Sequence, residues 1–145
     1  MTQPPPPCSA SWPATRAGAV LRVDLAALAR NYGRVADLAQ GATCAAVVKA
    51  DAYGLGAAQV APVLEQAGAR EFFVAHVDEG LALRPHVSSQ ARITVLHGAR
   101  PQALGAFLAN RVRPVPNTLA PIGCVRAAAP PRRHAAPHTP HMCLP

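Results

Sequence analysis

The chain has 145 residues and a formal net charge of +7, half of its residues are apolar, and only six are aromatic, which suits one modest domain. Residues 80–145 carry eight arginines and no carboxylate, but these arginines are scattered and accompany no nucleic-acid-binding motif, so nucleic-acid binding is excluded as the main role. No signal peptide, membrane-length apolar run or compact cysteine framework is present in the sequence, so a cytoplasmic protein that does not enter the membrane is expected.

Proline marks the expected boundaries of the ordered region. Five of the sixteen prolines lie in residues 1–13 and eight lie in residues 114–145, so few remain between. We therefore predict a disordered leader over residues 1–13, an ordered domain over residues 14–122, and an unstructured Pro-, Arg- and His-rich tail over residues 123–145.

Strands and helices are predicted to alternate through the ordered region. Apolar runs and helical periods give, in chain order, strand 20–23, helix 24–39, strand 43–48, helix 57–66, strand 72–75, helix 77–83, strand 93–96, helix 101–110 and strand 112–115. Strand 43–48 is rich in alanine and valine and is expected to be buried on both faces. This order predicts a parallel sheet with right-handed crossovers.

The predicted α/β fold is an incomplete (β/α)8 TIM-type barrel with disordered Pro-rich ends, because each repeat has the length of a barrel unit. A complete barrel needs about 250 residues. A doubly wound open sheet is the alternative. A Rossmann domain is less favoured because the first strand lacks the glycine-rich dinucleotide fingerprint.

Lys49 is the only lysine in the chain, and it follows the second predicted strand. Active sites of α/β barrels lie at the carboxyl ends of the strands, and a lysine amine can form a Schiff base with an aldehyde, whereas arginine cannot. Gly54 and Gly56 then precede a helix whose N-terminus favours an anion such as phosphate, to which Tyr53 can donate a hydrogen bond.

The run VVKADAYGLG at residues 47–56 resembles the pyridoxal-phosphate attachment motif of the alanine racemases. Residues 23–28 with 31–32, residues 78–84 and residues 114–119 resemble further segments of that family in order and spacing. The resemblance implies the PLP fold type III barrel and the cofactor pyridoxal 5'-phosphate. It also implies a homodimeric isomerase that interconverts L- and D-alanine and supplies D-alanine for peptidoglycan.

By this resemblance, Lys49 would carry pyridoxal phosphate and act as the catalytic base, and Tyr53 would help to hold the cofactor phosphate. The family takes its second acid/base, a tyrosine, from the C-terminal domain of the partner subunit. The two tyrosines here, Tyr32 and Tyr53, both match N-terminal family positions. We therefore expect an N-terminal fragment that is inactive alone. The alternatives are a non-catalytic remnant that at most binds the cofactor, and a pyridoxal-phosphate carrier barrel.

No metal site is predicted from the sequence. The tail has ligand-like spacing but no packed frame to hold a metal ion. The residues with that spacing are His134, His138, His141 and Cys143.

Overall fold

The structure is a computed structural model that describes residues 18–117. The predicted leader, residues 1–13, and the predicted tail, residues 123–145, lie outside the described residues, as do the four tail residues with ligand-like spacing.

The described part contains a four-stranded parallel sheet in the order β1-β2-β3-β4. The strands are β1 (Ala46–Val47), β2 (Glu71–Val74), β3 (Arg92–Val95) and β4 (Val112–Pro114). Each strand pairs with the next one along the chain, whereas a doubly wound sheet reverses its order at a switch point. The strand order therefore confirms the barrel-type α/β prediction over the doubly wound alternative.

Five helical segments connect and flank the strands. They are α1 (Leu25–Leu38), α2 (Lys49–Tyr53), α3 (Ala57–Gln66), α4 (Val77–Leu83) and α5 (Leu104–Ala109), with 3₁₀ turns at Arg84–His86 and Pro101–Ala103. The bounds predicted for α3 and α4 are confirmed. Asp24 caps α1, since its Oδ1 accepts a hydrogen bond of 2.9 Å from the backbone N–H of Ala27.

One strand prediction is wrong, and a second is wrong in part. Residues 20–23 form no strand, because no described strand pairs with them, and Val20 and Leu21 are 65% and 77% exposed. An apolar run needs a hydrogen-bonding neighbour before it becomes a strand. Within 43–48, only β1 pairs with β2, and Val47 is 44% exposed, so this strand is buried on one face and not on both.

The core lies between the helices and one face of the sheet. Side chains of β2 and β3 alternate between buried and half-buried, as expected when one face is covered. The largest fully buried side chains are Phe72, Ile93, Val48, Val74 and Val95. In the part of the chain that the structure describes, the opposite face holds half-buried residues such as Phe73 and Thr94.

Glu65 makes the stability of this core dependent on pH. Burial raises the pKa of its carboxyl group. Hydrogen bonds from the Ser88 hydroxyl and N–H, together with the positive charges of Arg70 and Arg84, lower the pKa by more than burial raises it. The pKa therefore lies below its ordinary value of 4.5. A lowered folded-state pKa contributes stability above the unfolded-state pKa, and this contribution is lost as the pH falls through the folded-state value.

We therefore expect the wild-type chain to lose more stability than Glu65→Gln between about pH 6 and pH 3. Urea midpoints measured across this range test the expectation. Equal acid sensitivity of the two proteins would show that Glu65 does not contribute to the pH dependence of stability.

Candidate functional site

Lys49 lies at the carboxyl end of β1. The parallel ladder continues one residue past the strand, where the N–H of Val48 donates to the carbonyl of Phe73 at 2.9 Å. Val48 is 2% exposed and faces the helices, whereas Val47 is on the other face. Lys49, which is half-buried, follows Val48 directly and begins α2.

The residues after Lys49 form a left-handed turn that the sequence did not predict. Ala50, Asp51, Ala52 and Tyr53 have φ values of 52°, 53°, 53° and 57°. This region costs non-glycine residues roughly 1–2 kcal/mol each, and such strain is concentrated at functional sites. Gly54 ends the turn at φ 83°, where its lack of a Cβ removes the penalty.

Backbone hydrogen bonds hold the turn in place. The N–H of Ala52 donates to Val48 at 2.9 Å, and the N–H of Gly54 donates to Ala50 at 2.9 Å. The N–H of Gly56 returns to the carbonyl of Asp51 at 2.9 Å. The start of this segment, Lys49, is therefore fixed to the end of β1.

The Glu79 carboxylate joins the turn to the neighbouring strand. Its Oε1 accepts from the N–H of Ala50 at 3.2 Å, and its Oε2 accepts from the N–H of Ala75 at 2.8 Å. Asp78 and Glu79 lie in the first turn of α4. Glu79 also links α2 to the end of β2, and we call this pair of hydrogen bonds the Glu79 brace. The position of Glu79 in the helix did not predict this contact.

Glu79→Gln is expected to destabilise the chain by about 1.5–3 kcal/mol, because an amide replaces one of the two charged acceptors with a donor. Asp78→Asn is the matched control, for which we expect a loss of less than about 1 kcal/mol. Urea unfolding measures both variants. If the two variants lose the same stability, the brace is not formed.

The side chain of Asp51, which lies in α2, caps the N-terminus of α3. Its Oδ1 accepts a hydrogen bond of 2.7 Å from the backbone N–H of Ala57, the first residue of that helix. This contact changes the phosphate prediction, because a carboxylate of the chain already lies where an anion was expected.

The two tyrosines have different environments. Tyr53 ends α2 and is 63% exposed, so its hydroxyl is accessible to a ligand. Tyr32 on α1 packs against the core, and its hydroxyl donates to the carbonyl of Cys44 at 2.9 Å. Burial first, and then the neighbouring Cys44, raise the pKa of Tyr32. Tyr32 therefore has a structural role in the described region.

The same edge of the sheet carries two histidines and one asparagine. None of the three was predicted as a site residue from the sequence. His76 follows β2 and His97 follows β3, and their Nδ1 atoms are 3.0 Å apart. Asn117 donates from Nδ2 to the carbonyl of Leu96 at 2.7 Å. Their positions directly after predicted strands were the available signal.

Two features are absent from residues 18–117. None of the helices in this range is both long and apolar enough to cross a membrane. The same residues contain no group of three or more His, Cys, Asp or Glu side chains arranged to hold a metal ion.

Comparison with known proteins gives one consistent family. The family model described as "Alanine racemase, N-terminal domain" matches residues 23–141, which extends past the boundary predicted at residue 122. The alanine racemase of Methylobacterium nodulans is 55% identical over 98 residues, covering 68% of this chain and 26% of that protein. The alanine racemase of Brucella suis is 48% identical over 103 residues, covering 71% of this chain and 26% of that protein.

Solved structures agree with the sequence relatives. The crystal structure of alanine racemase from Bartonella henselae, with covalently bound pyridoxal phosphate, superposes with a TM-score of 0.67 at 38% identity. The superposition covers 70% of this chain and 28% of that one. This chain thus spans about a quarter of the length of the curated relatives it matches.

Proposed function

Because this chain belongs to the alanine racemase family, through its N-terminal domain, we propose that Lys49 binds pyridoxal phosphate covalently and serves as the base toward alanine. The proposal is carried by one observation. The only lysine of the chain follows β1, at the edge of the sheet where the loops after parallel strands converge.

The residues around Lys49 have the chemistry that this cofactor needs. A primary amine reacts with the aldehyde, and the exposed hydroxyl of Tyr53 can donate to a phosphate oxygen. Because Asp51 already accepts a hydrogen bond from the first N–H of α3, the role of binding the cofactor phosphate is assigned chiefly to Tyr53. When bound, pyridoxal phosphate supplies the electron sink that stabilises the charge left on the substrate Cα.

The chain's own residues would position and move the proton. Lys49 takes or returns the α-proton on one face of alanine through its Nζ. The left-handed turn and the Glu79 brace keep the backbone of Lys49 in one position, so that its side chain starts from a fixed point.

The second face of the substrate needs another acid/base, and neither tyrosine is suited to that role. Tyr32 is held by Cys44, and Tyr53 ends the same turn that begins with Lys49. We therefore propose that the chain alone anchors the cofactor without racemising alanine. A complete family member, as a cytoplasmic homodimer, would make D-alanine for peptidoglycan. The second candidate, a non-catalytic remnant that at most binds pyridoxal phosphate, is favoured by the same two tyrosine environments.

Chiral analysis of alanine incubated with the purified chain and excess pyridoxal phosphate tests the absence of turnover. We expect no conversion of L- to D-alanine above that of Lys49→Ala, which measures the background of free cofactor. Conversion by the wild-type chain that disappears in Lys49→Ala would refute the fragment proposal and support a complete activity.

A further inference from the structure

We propose that His76 and His97 form a binding site for one divalent transition-metal ion at the carboxyl edge of the sheet. The two rings meet edge to face, with centroids 4.3 Å apart, an interplanar angle of 63° and Nδ1 atoms 3.0 Å apart. The pair has no role in the proposed cofactor chemistry of Lys49.

The sheet register brings the two histidines together. Val74 pairs with Val95, so the residues two positions further along, His76 and His97, are opposite each other just past the ends of two adjacent parallel strands. The ladder continues to this point, since the N–H of His97 donates to the carbonyl of Ala75 at 3.1 Å.

The residue before His76 and the residue after His97 both contact other parts of the chain. Glu79 fixes the N–H of Ala75, the residue before His76, at 2.8 Å. Gly98 follows His97 with φ 74°, and a Cβ there would lie 2.9 Å from the carbonyl oxygen of Val115. The loop after His97 is therefore packed closely against the segment that follows β4. Less conformational entropy is therefore lost when an ion draws the two rings together.

The nitrogen separation fits a chelated metal ion. With metal–nitrogen bonds of about 2.0–2.1 Å, two nitrogens 3.0 Å apart subtend an angle of about 95° at the metal. This angle suits the tetragonal geometry of Ni²⁺ or Cu²⁺, and an opening of about 0.3 Å gives the tetrahedral angle of Zn²⁺.

The ligand type selects the class of ion. Neutral imidazole suits Ni²⁺, Cu²⁺ and Zn²⁺, whereas Mg²⁺ and Ca²⁺ prefer oxygen ligands. Both histidines are exposed, so water completes the coordination shell. In the metal-free pair, the 3.0 Å separation fits a hydrogen bond from the Nδ1–H of one ring to the Nδ1 of the other. On binding, the donor ring changes tautomer and carries its proton on Nε2, so that both Nδ1 lone pairs are available to the ion.

The test uses the 145-residue chain with the tail ligands removed, so that binding there cannot mask the pair. That background carries His134→Gln, His138→Gln, His141→Gln and Cys143→Ser. Titration with Ni²⁺ should show one site per chain, and Mg²⁺ should show none. His76→Gln or His97→Gln should each weaken Ni²⁺ binding at least tenfold, whereas His86→Gln, which changes another exposed histidine, should leave it unchanged.

His97→Cys provides a positive readout at the site. A thiolate also binds Ni²⁺, so this variant should retain the ion and add a sulfur-to-nickel charge-transfer band that the His97→Gln protein lacks. Lys49→Ala should bind Ni²⁺ as tightly as its parent, which separates this proposal from the cofactor proposal. The proposal is overturned if the His76→Gln or His97→Gln protein keeps the parent affinity, whether or not it is folded, or if the His97→Cys protein shows no new band.

Discussion

Replacing Lys49 with arginine is expected to abolish the visible absorption band that covalently bound pyridoxal phosphate gives. Arginine keeps the positive charge at the end of β1, but its guanidinium group stays protonated and does not condense with an aldehyde. Because the chain has one lysine, the only other primary amine is the α-amino group at residue 1. Spectral titration of the purified proteins with pyridoxal phosphate measures the effect.

Tyr53→Phe is the matched control for this experiment. It removes one hydroxyl from the same turn, so we expect the band to persist while the apparent affinity falls about tenfold, the loss expected for one hydrogen bond to a charged group. A band of normal intensity in Lys49→Arg would mean that the cofactor reacts elsewhere.

Phe72→Ala is expected to cost about 3–5 kcal/mol, because the side chain is fully buried in β2 and its removal leaves a cavity. A domain with a total stability of about 5–15 kcal/mol would then unfold readily. Urea unfolding, or pulse proteolysis where the variant is too unstable, measures the loss.

Phe73→Ala tests whether the loss depends on the face of the sheet. Phe73 is adjacent, of the same residue type, and half-buried on the uncovered face, so its removal should cost only about 1 kcal/mol. Equal losses at the two positions would mean that both faces of the sheet are packed, contrary to the fold described here.

The helices were predictable from local chemistry. The bounds of α3 and α4 follow from glycine and proline at their ends, and Asp24 at the start of α1 is a favoured cap. Strand pairing, unlike helix formation, is not determined by the local sequence alone. The apolar run at residues 20–23 has the composition of a strand, but pairing depends on a neighbour that is distant in sequence.

The location of Lys49 was also predictable, because a strand followed by glycines delivers it to the sheet edge. The left-handed turn was not, since Ala50 and Ala52 have no preference for positive φ. The Glu79 brace and the contact between His76 and His97 depend on which strands are adjacent and in what register, which a single segment does not encode.

Borohydride reduction of the chain with pyridoxal phosphate, followed by peptide mass mapping, shows whether Lys49 binds the cofactor covalently. Reduction makes the covalent link permanent, and the sole lysine allows its position to be assigned without ambiguity. We expect a pyridoxyl adduct on the peptide that contains Lys49. An adduct found only on the N-terminal peptide, or on no peptide, would contradict it.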